Sequence, residues 1–216
     1  MKRQPGLREV KKARTREHIA DVAAALFAEH GYDAVTMLAV AQAAEVSDQT
    51  VYNYFPAKQD LVLDLAEQFR DWYRDAITRR DEETSPAAAL LPLVSADIAR
   101  YRGADLDVAR GEFLAQSVVS PILRRFTLEE RERQVHVITD AIVATTPELP
   151  RIVAHAHAAA IVAVIQAVHD HIGRSVLDRS DQKRSATDMS KTVTIAFASL
   201  DRTFASLLDN VDVPPS

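Results

Sequence analysis

The chain has 216 residues, 47% of them hydrophobic and only five of them glycine, so it can bury a sizeable core and its composition favours helices. It contains no cysteine, which excludes disulfides, thiolate zinc sites and cysteine nucleophiles. The absence of about 18 uninterrupted apolar residues and the lack of a signal-peptide pattern lead to the expectation of a soluble, cytoplasmic protein that does not span a membrane.

Charge is unevenly distributed along the chain. Residues 1–16 carry Lys2, Arg3, Arg8, Lys11, Lys12, Arg14 and Arg16 against Glu9, a net of +6. Residues 17–60 carry only Lys58 against seven acids, a net of −6. Residues 1–14 therefore read as a basic flexible arm, either a phosphate-binding element carrying Lys11, Lys12 and Arg14 or a solvated tail.

The segment Thr36 to Lys58, TMLAVAQAAEVSDQTVYNYFPAK, is the most informative. Thr36 can cap a helix whose apolar positions Met37, Val40, Ala41 and Ala44 share one face. Ser47 restarts a second helix, with Val51 and Phe55 four residues apart on its inner side. Asp48, Gln49, Tyr52 and Asn53 then fall outward, where a DNA groove would lie, and Pro56 stops the helix or opens the next. This is the pattern of a helix-turn-helix reader of duplex DNA. Gln49 is expected to reach base edges, with Asp48 or Asn53 as helpers. Thr36, Ser47, Thr50, Tyr52, Tyr54 and Lys58 are expected to hold phosphates, because phosphate contacts position while base contacts specify.

From Thr15 to Leu61 the chain resembles the DNA-binding domain of the TetR family of transcriptional regulators. The resemblance is carried by Thr15, Ile19, Ala23, Ala24, Leu26, Phe27, Gly31-Tyr32, Thr36, Val40-Ala41, Ala44, Val46-Ser47, Thr50, Tyr52, Tyr54-Phe55, Pro56, Lys58 and Leu61. Two positions depart from the family pattern. Glu45 stands where a turn glycine is usual, so the turn either holds a glutamate in the left-handed region or takes a less demanding conformation. Asp48 stands where a basic or small residue is common. Its carboxylate either accepts from a cytosine amino group or only stabilises the helix start.

After the helix-turn-helix domain (15–60), residues 61–210 read as one all-helical effector-binding and dimerisation domain, followed by a loose tail, 211–216. Helices are expected over 57–79, 86–101, 105–119, 121–144, 148–173 and 189–209, with a polar segment at 178–190 before the last. The resemblance implies that the last two long helices pair with those of a second copy. The face expected to do so carries His157, Ile161, Val164 and Val168 on one helix and Phe197, Leu200 and Phe204 on the other. The resemblance also implies a small-molecule pocket among the middle helices. Trp72, Tyr101, Phe113, Gln116, Ser117, Phe126 and His136 are the candidates, as aromatic or polar groups on otherwise apolar helices.

The paired histidines His155/His157 and His169/His171 are two residues apart and point to different faces, so the spacing of a helical metal site is absent. No GxSxG, glycine-rich phosphate loop or HExxH occurs, and no catalytic residue, metal or cofactor is expected. The function implied is a homodimeric repressor that binds a palindromic operator and is released by a small-molecule effector.

Overall fold

The computed structural model describes residues 6–63 and 66–211. Among them are eleven helices and no strand: α1 (Leu7–His30), α2 (Met37–Ala43), α3 (Asp48–Tyr54), α4 (Asp60–Leu63), α5 (Ala66–Thr78), α6 (Pro86–Arg102), α7 (Leu106–Ala109), α8 (Phe113–Val119), α9 (Pro121–Thr145), α10 (Arg151–Leu177) and α11 (Gln182–Val211). The all-helical expectation therefore holds.

Two hydrophobic cores organise these helices. The first is a small head in which α1 contributes Ile19, Ala23 and Phe27, spaced four residues apart and wholly buried. These side chains close over Val40 and Ala41 of α2 and over Val51 and Phe55 near α3. Leu123 of α9 is inserted into the same core at 0% exposure. The second core fills the body, with Ile77, Leu90, Ile138, Ile142, Ile161, Ile165 and Phe197 all inaccessible to solvent. Helix α10 is long and apolar enough to cross a bilayer by composition alone, and here it runs through the body against α6, α8, α9 and α11.

Several expected boundaries move. The basic arm is not wholly irregular, because Leu7–Arg14 form the first two turns of α1. The stretch LREVKKAR contains good helix formers, and the Glu9 carboxylate accepts from the Gly6 amide to close the helix start. Lys2, Arg3, Leu65 and the tail beyond Val211 lie outside the described residues. The helix expected from Ala57 begins at Asp60, whose side chain accepts from the Ala57 amide.

The span expected as one helix over 105–119 is two short ones, α7 and α8, separated at 110–112. Gly111 sits in that break, where an added Cβ would stand 1.8 Å from the carbonyl oxygen of Ala24 in α1. Only a glycine lets the break pack against the head so closely. The polar segment at 178–190 is mostly helical, because α11 already starts at Gln182. Ala186, Met189 and Val193 bury one face there, while Thr187 and Ser190 return their hydroxyls to carbonyls one turn back.

Candidate nucleic-acid interface

Both helices of the reading motif start on hydroxyl caps. Thr36 Oγ1 accepts from the Ala39 amide at 3.1 Å, and Ser47 Oγ accepts from the Thr50 amide at 3.1 Å. Thr50 Oγ1 lies 2.7 Å from Ser47 Oγ, so the two hydroxyls expected at phosphates also bond each other. Between the helices Glu45 has φ 54°, the first of the two alternatives: a glutamate held in the left-handed region.

The far side of α3 presents a row of polar side chains. Asp48, Gln49, Tyr52 and Asn53 are exposed, and Tyr54 is half-buried. Gln49 Nε2 donates to Asn53 Oδ1 at 3.1 Å, which aligns two amide groups on one helix face. Asp48 Oδ1 accepts from the Gln49 amide at 2.9 Å, so its carboxylate is held against the helix start.

The other end of α3 is anchored by a residue that sequence reasoning counted only as a charge. Arg16 donates to the Tyr54 carbonyl at 2.7 Å and lies 4.4 Å from the Phe55 ring centre. The two partners are 38 residues or more away along the chain, so no local spacing could have revealed this role. His18 Nε2 also lies 3.2 Å from the Ala44 carbonyl, joining α1 to the end of α2.

Lys58, expected at a phosphate, is half-buried in this DNA-free structure. Its ammonium sits 4.2 Å from the Tyr32 ring centre and donates to the Asp33 carbonyl at 3.4 Å. Burial pulls it below its ordinary pKa, against the opposing pull of the Asp33 carboxylate. Burial also pushes the Tyr32 hydroxyl up to about 12, aided by Asp33 and Asp60. Lys58 thus serves the fold of the head, and the bases turned to solvent are Arg8, Lys11, Lys12 and Arg14 of α1.

The seven pocket candidates do not converge. Trp72 is 41% exposed and stacks edge-on with Phe69; His136 is exposed against the ring of His155. Phe126 packs at the edge of the head core, Phe113 is half-buried, and Ser117 is bonded to the Leu114 carbonyl. Gln116 is occupied as a clamp. Its Oε1 accepts from the Tyr32 amide at 2.8 Å while its Nε2 donates to the carbonyls of Phe27 and Arg110 at 3.0 and 2.7 Å. Of the seven, Tyr101 lines a cavity, one of about 300 Å³ between α6, α7, α8 and α10.

The expected pairing face is also turned inward. His157, Ile161, Val168, Phe197 and Phe204 are each at most 5% exposed. The His157 ring lies 4.9 Å from that of Phe204 within the same chain, while Val164 and Leu200 are half-buried. The apolar stripe chosen from the sequence is the inner face of α10. Its exposed face carries Ala156, Ala163, Ala167 and His171, of which the last three share a groove with Arg184, Asp188 and Thr192 of α11.

Residues 19–65, which contain α2 and α3, match the family of bacterial regulatory proteins of the tetR type. Over 107 residues the chain is 29% identical to the HTH-type transcriptional regulator TcmR of Streptomyces glaucescens, covering 50% of this chain and 47% of that protein. Over 124 residues it is 30% identical to the HTH-type transcriptional repressor KstR2 of Mycobacterium tuberculosis, covering 55% and 60%. The matched region thus spans about half of each relative. The fold is similar to that of NalD, the secondary repressor of the MexAB-OprM multidrug efflux pump in Pseudomonas aeruginosa. That likeness has a TM-score of 0.58 at 18% identity and covers 85% of this chain and 97% of NalD. The hydroxyl-capped reading motif and the family match across it agree that residues 19–65 form a DNA-binding domain of the TetR type, and the all-helical body has the same fold as NalD.

Proposed function

We propose that this protein is a transcriptional repressor that binds a palindromic operator as a homodimer and leaves it when a small molecule binds the body. The observation that carries this reading is the outward face of α3, where Gln49 and Asn53 are joined side chain to side chain at the end of a helix anchored by Ser47 and Arg16. Paired amides of this kind suit the acceptor and donor edges of bases in a major groove. Arg8, Lys11, Lys12 and Arg14 supply the cations that the acidic head lacks. A two-fold operator needs a two-fold protein, and the exposed small residues Ala163 and Ala167 of α10, beside Thr192 of α11, offer a face on which two copies could approach closely.

The test is selection of bound duplexes from a random pool by the full-length protein, followed by nuclease protection on the selected sequence. The expected outcome is an inverted repeat protected on both half-sites. Enrichment of no sequence, or of a single unrepeated half-site, overturns the proposal.

A further inference from the structure

We infer that the cavity between α6, α7, α8 and α10 is the effector site, that it takes a small organic cation with an apolar body, and that α8 carries its occupancy to the reading head. The inference rests on the ligand-responsive reading above and adds a place, a ligand class and a route.

The cavity of about 300 Å³ falls at the small end of the range that holds compact ligands. Leu114, Ala115, Ile172 and Val176 form an apolar wall. The same lining holds three carboxylates, Asp97, Asp105 and Glu112, with Arg100 as the one lining base. Arg100 is divided between two of those acids, 3.2 Å from Glu112 and 3.9 Å from Asp97. The lining therefore carries more negative charge than it neutralises, which favours a cation and repels an anion. Tyr101 is 3% exposed, and its hydroxyl has no hydrogen-bond partner among the described residues. An unmet buried hydroxyl is costly, and a polar ligand group that meets it recovers that cost on binding.

The route follows from the placement of α8. Leu114 and Ala115 line the cavity, while the next residue, Gln116, bonds both the end of α1 and the start of the following turn. At the far end of α8, Ser120 donates to Asp33 in that turn at 2.6 Å. The helix has little room to yield. A Cβ on Gly173 of α10 would stand 2.1 Å from the Leu114 carbonyl oxygen, and the Gly111 break touches the α1 backbone. Bulk entering beside Leu114 cannot be absorbed by a backward slide onto α10, so it displaces α8 and the three-way bond that fixes α1.

Calorimetry on the full-length protein, with 2-phenylethylammonium against the neutral 2-phenylethanol and the anionic phenylacetate, tests place and class. The cation should bind about tenfold or more tighter than the alcohol, and the anion should not bind. Tyr101→Phe and Glu112→Gln should each weaken the cation several-fold, the latter leaving the alcohol unaffected. Leu114→Trp, which fills the space, should abolish binding while circular dichroism stays helical. Equal binding of cation and alcohol, no binding of the cation at millimolar concentration, or unchanged binding by Glu112→Gln overturns the assignment of site and class. For the route, operator affinity of the wild-type protein should fall about fivefold or more in the presence of the cation. Gln116→Leu should bind the cation as before yet lose that response, and a retained response overturns the role of α8. Should the wild-type protein bind no duplex at all, the proposed function fails, while calorimetry still decides the cavity.

Discussion

At the scale of single residues, the side chains proposed to read DNA are distinct from those that hold the reading helix in place. The Gln49 side chain is exposed and bonds Asn53 on its own helix face, so exchanging it should leave the head folded. Gln49→Ala is expected to relax preference at one base pair per half-site and to weaken the selected operator by about 1–3 kcal/mol. An unchanged preferred sequence in the selection experiment would count against base reading by Gln49. The caps at Thr36 and Ser47 were legible in the sequence because a cap acts on an amide three residues along. The contacts of Arg16, Lys58 and Gln116 were not legible, for the opposite reason. Their partners lie far off in the chain, and a charge or an amide does not announce which carbonyl or ring it will meet.

At the scale of elements, periodicity revealed which helices exist better than it revealed which way they face. Helix α10 is apolar nearly all round, so the stripe through His157, Ile161 and Val168 and the stripe through Ala156, Ala163 and Ala167 were equally open as a buried side. Side-chain volume separates these two stripes: His157, Ile161 and Val168 fill the body, while Ala156, Ala163 and Ala167 stay exposed. His157 carries a measurable consequence. Its ring is buried against Phe204 with Nε2 unpartnered among the described residues, and burial lowers its pKa despite the nearby Asp201 carboxylate. The unfolded chain therefore takes up a proton at His157 more readily than the folded one. The stability linked to this residue is complete above the ordinary histidine range and declines as pH falls below about 6.5, by at most about 1.4 kcal/mol per pH unit. Denaturation midpoints followed from about pH 8 to about pH 5 should show that decline, and His157→Leu should flatten it. Parallel curves for the two proteins would mean that other groups set the acid response.

The helical start of α1 alters what the basic segment is expected to do, without altering its charge. Replacing Arg8, Lys11 and Lys12 together by glutamine keeps helix propensity and removes three exposed cations. Operator and non-specific affinity should fall together, and the slope of log affinity against log salt should become shallower by about 0.9 for each phosphate that the protein no longer neutralises. Equal slopes for variant and parent would show that these cations do not touch DNA.

For the whole molecule, the prediction concerns assembly. A charge placed on the small outer face of α10, as in Ala163→Arg, should leave the protomer folded, because the site is exposed, and should shift sedimentation toward monomer. It should also cost most of the operator affinity, since one head then binds one half-site. A variant that sediments and binds as the parent does would place the pairing face elsewhere.

Under the proposed function, the basic residues of α1 bear on how fast a target is found as well as on how tightly it is held. Five of the seven bases in the first sixteen residues lie on α1, which is continuous with the head through Ile19, Ala23 and Phe27. Charges fixed to a rod add their attraction without a further ordering cost on docking, but they cannot reach ahead of the body to catch a second duplex. The protein should therefore gain in encounter rate from steering at low salt while relying on sliding along one duplex, rather than transfer between two, to search for its site.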